Sequence, residues 1–332
     1  MESMEIWVFE APELSDNPIA SEDEAFTQFK TKKRLDAIRA AHCMVLIMCW
    51  EGSEQTIRRA RRERYSKIID VARSLLKVQP THTNLGDYIQ APNIFEAWKR
   101  FVHKEELLRT LSYVFKLDCA YAIFNNCLPR MTIPELQFTL SCPEICFQAN
   151  SPDEWLMHAK SWHESTIGIQ LPNLSDVVRI VLQEELSVPD WRLLQEMSSL
   201  NFFAVISALH AIIFHLRHLS LGNVDTQQVH RGLRHWIQAW AHRQTILSAY
   251  DKYHVNPHDS WKRVGFMRHV QEYWRLALVF CRQLESDQAG LSESSTCRSV
   301  SVGNRSLDET DMRHVHDLIV KFQHVNLGEY DL

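Results

Sequence analysis

Only 9 of the 332 residues are glycine, where an average chain of this length carries about 23. Two-residue hairpin turns need residues that tolerate positive φ, and loops that cradle phosphates need backbone free of side chains, so both draw heavily on glycine. A chain this poor in glycine and rich in Leu, Ala, Arg and Gln is therefore not built from many hairpins or around a glycine-rich nucleotide-binding loop. With 45% hydrophobic residues, including 10 Trp, 15 Phe and 8 Tyr, it carries ample material for a large core. The expected fold class is all-α: antiparallel helical hairpins around a large core, interrupted by a proline-rich irregular connector.

Charge narrows the partners. The net charge is -5, and residues 1–25 hold eight acids (Glu2, Glu5, Glu10, Glu13, Asp16, Glu22, Asp23, Glu24) with no Lys or Arg. The remainder is only slightly basic, too little to hold a chain on a nucleic-acid backbone through its overall field. The acidic start lacks the basic region of a secretory signal, and no uninterrupted apolar run approaches the ~20 residues of a spanning helix. An intracellular protein without a membrane segment is expected. Its eight cysteines are too scattered for a disulfide framework and read as reduced, mostly buried small hydrophobes.

Residues 1–24 are expected to be a disordered acidic terminus, and 25–328 one folded domain. Residues 25–50 read as a core helix closing on the apolar run Cys43 to Trp50, and Gly52 breaks it before Ser53 caps the next. That helix has Ile57, Ala60, Tyr65, Ile68, Ala72, Leu75 and Leu76 inward, mostly three or four apart, and Pro80 closes it. A polar connection from Thr81 to Pro92 leads to a long helix over about 95–124, with Trp98, Phe101, Val102, Leu108, Leu111, Phe115 and Leu117 or Ala122 inward. Pro129, Pro134, Pro143 and Pro152 forbid a single helix across 126–152, which reads as the connector with a short turn at Pro134-Glu135-Leu136. Further helices are predicted near 153–163, 174–186, 191–220, 224–247, 259–285 and 310–325, with Gly222 ending one and Asp225 with Gln228 opening the next. Residues 285–310, rich in Ser and poor in large apolar residues, read as a mobile loop.

Several residue sets invite a chemical reading. Cys142-x3-Cys146-x11-His158-x4-His163 nearly has the spacing of a zinc finger, but Pro143, Pro152 and Asp153-Glu154 interrupt it and Lys160 is the single base nearby. The expectation is no metal, with those four as the one candidate set. His210, His215 and His218, and likewise His230, His235 and His242, lie close in sequence without an acid to complete a site, so they read as hydrogen-bonded helix histidines. The run Arg58, Arg59, Arg61, Arg62 and Arg64, like Lys30 to Arg34, is a candidate nuclear-import or phosphate patch, set against the default of a solvated helix face. No G-x-S-x-G, G-x-x-x-x-G-K, G-x-G-x-x-G or adjacent aspartate pair occurs, which leaves a non-enzymatic reading.

One string of residues carries more information. Phe101-Val102, Glu105, Arg109-Thr110, Leu117-Asp118, Asn126, Pro129, Pro134-Glu135-Leu136, Leu140, Cys142-Pro143-Glu144 and Glu154-Trp155 follow in an order and spacing that resemble the fungal-specific transcription factor domain. This is the middle homology region that follows zinc-cluster or two-finger DNA-binding segments in fungal regulators. Ala40 to Trp50, Arg59 to Leu76, Trp236, Trp240, Gly265-Phe266 and Tyr273 to Ala277 extend the resemblance over most of 25–325. Phe101, Ser141 and Cys146-Phe147 depart from the pattern by conservative packing changes. From the residues alone, Glu105 and Arg109 form an i,i+4 pair, and burial of Arg109 against Asp118 would fix the long helix to the connector.

The resemblance implies a structural motif of Glu105, Arg109, Asp118, Pro129, Glu135 and Trp155, and a nuclear RNA polymerase II regulator of fungal type. It would act through partner or effector binding, with control of a secondary-metabolite gene cluster as the finer expectation. Residues 1–25 hold no Cys or His, so no cofactor is expected in this chain, and zinc would belong to a preceding finger segment. Expected partners are proteins of the transcription machinery, a second copy, or a DNA-binding partner, and no membrane. Trp7, Val8 and Phe9 within the acidic start resemble an acidic-hydrophobic activation element. An all-helical small-molecule binder or enzyme, and a cytosolic interaction scaffold, stay open as alternatives.

Overall fold

The helical reading holds: in the computed structural model every regular element among the described residues is a helix, and the β contact there is an isolated antiparallel bridge between Thr139 and Asn173. The structure describes residues 1–15, 24–77, 81–82, 85–166, 171–218, 226–254, 269–293, 307–308 and 320. The expected single domain over 25–328 divides instead into two compact units, one of residues 1–118 and 130–176 and the other of 119–129 and 177–332.

In the first unit, α1 (Glu2–Phe9) and a 3-10 turn (Pro12–Leu14) precede the long α2 (Glu24–Glu51). Gly52 ends α2, where a Cβ would lie 2.2 Å from the Met48 carbonyl oxygen, and Ser53 then caps α3 (Glu54–Arg59) through the Thr56 N–H. One π-helical turn (Ala60–Arg64) joins α3 to α4 (Tyr65–Leu76), which packs back on α2 with Ile68, Ile69, Val71, Ala72 and Leu75 buried. Arg34 in α2 donates to the Ser74 hydroxyl at 2.9 Å, which fixes the register of this hairpin. The long α6 (Ile94–Asn125) starts in this unit, followed by the connector with its 3-10 turn (Ile133–Glu135), α7 (Glu144–Phe147) and α8 (Pro152–Ser165). Ser151 caps α8 with Pro152 in its first turn, so Pro152, Asp153 and Glu154 are the start of a capped helix.

The second unit starts, after the end of α6, with α9 (Leu174–Val181), most of which belongs to it, and α10 (Val188–Gln195). Its core is three long helices, α11 (Ser199–His218), α12 (Gln227–His254) and α13 (Val270–Glu293). Phe202 meets Trp236 and Trp240 while Leu209 meets Gly232, so α11 and α12 are antiparallel. Leu233 meets Trp274 and His230 meets Glu285, so α12 and α13 are antiparallel as well. A Cβ on Gly232 would come within 3.1 Å of Leu182 and 3.2 Å of Leu209, so glycine permits the close helix approach there. Helix α11 is long and apolar enough to cross a membrane, and 83% of its most apolar stretch is buried inside the protein.

Several expectations about local structure need correction. Residues 2–9 and 12–14, expected to be disordered, are helical because Val8, Phe9 and Leu14 bury against the α2 hairpin. The polar connection 81–92 contains a short helix, α5 (Leu85–Ile89), too brief to show a period. The helix predicted over 191–220 is two, because Ser198 caps α11 through the Asn201 N–H. The helix predicted over 174–186 ends at Val181. The mobile loop expected over 285–310 is corrected over its first residues, where α13 continues as helix to Glu293. The rest of the Ser-rich segment lies largely outside the described residues, as do Gly222, Asp225, Gly265-Phe266 and the helix predicted near 310–325.

Candidate functional site

The connector explains why the first unit buries the carboxylates of Glu105 and Asp118. Its main chain leaves α-helical geometry between Asn126 and Pro143, so its N–H and C=O groups lack i−4 partners. Some pair with other main chain, as the Leu140 N–H does with the Pro172 carbonyl at 3.2 Å, and others are met by side chains. Helix α6 supplies two carboxylates for this purpose. Glu105 is fully buried, and its Oε1 accepts from the Cys142 N–H and from His82 Nε2, both at 2.9 Å, while Oε2 accepts from Arg109 Nε at 3.0 Å. Burial pushes the Glu105 carboxyl up, but the His82 hydrogen bond and charge, the Arg109 charge and the Cys142 N–H outweigh it and hold it below the usual range. As a carboxylate Glu105 can only accept, so His82 carries its proton on Nε2. Arg109 completes the knot by donating to the Cys142 carbonyl at 2.8 Å and stacking over the Phe147 ring at 4.3 Å.

Asp118, three turns further along α6, makes a second knot and does not meet Arg109 as expected. Its Oδ2 accepts from the Arg130 and Met131 N–H groups at 2.6 and 2.8 Å. Its Oδ1 lies 3.7 Å from the Arg130 guanidinium and has no hydrogen-bond partner. Burial raises the carboxyl to about 6 against those two N–H bonds and the charges of Arg130 and Arg73. Arg73 of α4 holds the next turn, donating to Glu135 at 2.7 Å and to the Arg130 carbonyl at 2.7 Å, while Glu135 accepts back from the Thr132 N–H at 3.0 Å. Pro129 is buried immediately before Arg130. Trp155 of α8 is fully buried against Phe101, ring centroids 5.2 Å apart, and Phe101 stacks on His82 at 4.9 Å. The structure thus links Glu105, Arg109 and Trp155 through His82 and Phe101, and Asp118 with Glu135 through Arg73 and Arg130.

The arginine run is not one patch. Arg59 donates to Glu5 through Nε at 2.9 Å and Nη2 at 2.6 Å, and Arg64 donates to the same carboxylate at 2.6 Å. Arg61 is buried, and Arg58 pairs with Glu54 one turn back on the exposed side. In an α-helix residues five apart diverge by about 140°. The π turn stacks them instead through i→i+5 bonding, which puts Arg59 and Arg64 on one side to hold a single carboxylate. Arg34, in the other basic run, is buried on Ser74 and on the Ser15 carbonyl.

The zinc candidates are not gathered. Among the described residues no group of three or more His, Cys, Asp or Glu is placed to hold a metal. Cys142 and Cys146 are buried at the start of α7, burial pushes the Cys142 thiol well up, and Arg109 stands 3.7 Å from its sulfur. His158 instead lies 4.0 Å from Glu154 on its own helix. Of the other histidines, His210 and His235 bond the carbonyls of Tyr273 and Val181 at 2.8 and 2.9 Å, His218 bonds that of Phe214 at 2.8 Å, and His230 meets Glu285 at 2.7 Å. Each of these contacts positions a side chain, and none of them holds a hydroxyl or thiol against a base.

The chain is similar to a fungal transcription factor. Transcription factor verF of Penicillium polonicum is 30% identical over 311 residues, an alignment covering 88% of this chain and 41% of the relative. The chain therefore spans less than half the length of that protein. No family model matches the chain, and no solved structure matches it.

His82 and Arg73 are the positioning residues that sequence reasoning missed, because each acts on a residue 23 to 62 positions away. The π turn had a signal. Among the inward positions of that helix the step from Ala60 to Tyr65 is five residues, one more than an α-helix allows on a single face.

Proposed function

We propose that the chain is the regulatory portion of a nuclear, fungal-type RNA polymerase II transcription regulator. In this reading it is non-enzymatic and acts through partner or effector binding, with a secondary-metabolite gene cluster as its target class. The observation that carries the reading is the similarity over 311 residues to a protein named as a transcription factor. Two features support it. The residues that resemble the fungal transcription factor motif are those that join the connector to α4, α6 and α8, and they carry charge for positioning without a catalytic constellation. The arginine run, with Arg59 and Arg64 on Glu5 and Arg61 buried, favours DNA contact through a partner or another segment over contact through this run.

The test is a host strain depleted of the protein, with transcripts sequenced and a fluorescent fusion imaged in the same background. Altered expression of a contiguous set of genes with the fusion in the nucleus is expected. Exclusion from the nucleus under all growth conditions, with unchanged transcripts, overturns the reading.

A further inference from the structure

We propose that Arg59, Arg64 and the apolar seat beside them form a docking site for an acidic, aromatic helix of a partner protein, and that α1 is the chain's own occupant of that site. The proposal goes beyond the transcription reading and stands independently of it, because its test needs only the purified chain and a peptide.

The recognition chemistry is explicit in how α1 is held. The Glu5 carboxylate, 1% exposed, receives three N–H bonds from two arginines, with Arg59 bidentate. Hydrogen bonds from Arg59, then those and the charge of Arg64, outweigh burial and hold the carboxyl below the usual glutamate range, so it stays charged at neutral pH. One turn on, Phe9 is buried beneath the Arg64 guanidinium, 5.1 Å from its ring, and Val8 is buried beside it. The site therefore reads a carboxylate followed three and four residues later by Val and Phe, all on one helical face.

Little else holds α1. An eight-residue helix is too short to be stable by itself, Met1 gives it no side-chain cap, and no base stands in its last turn. Its other face is open: Met4, Ile6 and Trp7 are 58%, 48% and 78% exposed. Its helical form thus depends on docking, which makes docking a local equilibrium rather than part of the global fold. The arginines cannot shed their charge when α1 leaves, so the vacated site retains its demand for an anion. A partner helix must outcompete an intramolecular ligand whose effective concentration is of millimolar order, so the intact chain binds such helices weakly.

The probe is a fluorescein-labelled peptide with the sequence of residues 2–15, titrated into the full chain and read by anisotropy. The Glu5→Lys chain, whose own α1 is repelled by the clamp, should bind it at least tenfold more tightly than the unmodified chain. Adding Arg64→Ala to that variant, or using a peptide with Glu5→Gln, should each weaken binding at least tenfold. Equal binding by the unmodified and Glu5→Lys chains, or indifference to Gln at the peptide's position 5, overturns the proposal. Because Glu5→Lys could disturb folding, hydrogen exchange of the unmodified chain gives a second reading. The amides of Glu5 to Phe9 should exchange at least tenfold faster than those of Ile68 to Leu75 in α4, and equal protection would show that α1 opens only with the whole unit.

Discussion

The two units bury polar groups by opposite means. Among the described residues every buried Asp, Glu, Lys and Arg lies in the first unit: Glu5, Arg34, Arg61, Glu105, Lys116 and Asp118. The second unit buries neutral donors instead, and sends them to helix carbonyls, as Trp236 does to Phe202 and Trp274 to Leu233, both at 2.9 Å. The difference follows from the backbone. Three long helices satisfy their own main chain, so the core between them can be apolar apart from ring N–H groups on the second lone pair of a carbonyl. The proline-rich connector cannot, and its N–H groups at Arg130, Met131 and Cys142 are met by the carboxylates of Asp118 and Glu105. Buried carboxylates are the answer, and each brings arginines with it. The buried charge of Glu105 and Asp118 is thus a consequence of irregular backbone, whereas Glu5 is held by arginine side chains alone.

The largest effect should come from removing the carboxylate that serves most partners. Glu105→Ala strands the Cys142 N–H, His82 and the Arg109 guanidinium together, and breaking a buried ion pair costs about 3–5 kcal/mol. Hydrogen exchange followed by peptide mass spectrometry separates the units. Peptides from α6 before Asp118 and from 130–150 should accelerate roughly a hundredfold or more, while α11 peptides change far less. A uniform acceleration across both units would break the comparison.

Asp118 sharpens it through pH. Its folded pKa of about 6 lies above the ordinary 3.8, so the folded state holds this proton more firmly than the unfolded chain. Its contribution is therefore most favourable below about pH 4 and is lost as pH rises to about 6, by up to ~3 kcal/mol. The Oδ1 atom without a hydrogen-bond partner is where the proton would sit. Asp118→Asn should flatten the slope of stability against pH in that window, measured by urea unfolding in matched buffers. An unchanged slope would mean that the two connector N–H bonds keep the carboxylate ionised throughout.

What the sequence made legible divides along the same line. Helices α2 and α6 were expected to within a residue or two at each end, because the apolar run from Cys43 to Trp50 with Gly52 marks the first and the spacing of Trp98 to Phe115 marks the second. The prolines marked the connector, and the i,i+4 rule found Glu105 with Arg109. It did not find Asp118's partners, since main-chain N–H groups have no letter in a sequence. Nor did it find Glu5 between Arg59 and Arg64, where two runs of opposite charge, each read as a separate functional element, neutralise one another across 54 and 59 residues. Local patterns fix elements, whereas the knots depend on contacts across the chain.

In the second unit a single donor should matter less. Trp236→Phe removes its bond to the Phe202 carbonyl, a net loss of about 1 kcal/mol, plus the packing of the larger ring. The carbonyl left behind keeps its intrahelical partner, so no orphan is created. The thermal midpoint should fall modestly, and the exchange change should stay within α11 to α13. A cost matching that of Glu105→Ala would mean that the second unit relies on buried polar groups as heavily as the first.

The smallest effect should come from Arg58. It belongs to the same run as Arg59 and Arg64 and makes an ion pair with Glu54, yet both side chains are about half or more exposed, at 49% and 66%. Water screens such a pair, and an i,i+4 contact on an open helix is worth about 0.3–0.5 kcal/mol. Arg58→Ala should leave the unfolding midpoint within error at physiological salt, while Arg64→Ala, which strips a partner from a buried carboxylate, should lower the protection of Glu5 to Phe9. If Arg58→Ala proved the more damaging, burial would not be what separates structural charge from solvated charge in this run, and the contrast between the two units would lose its physical basis.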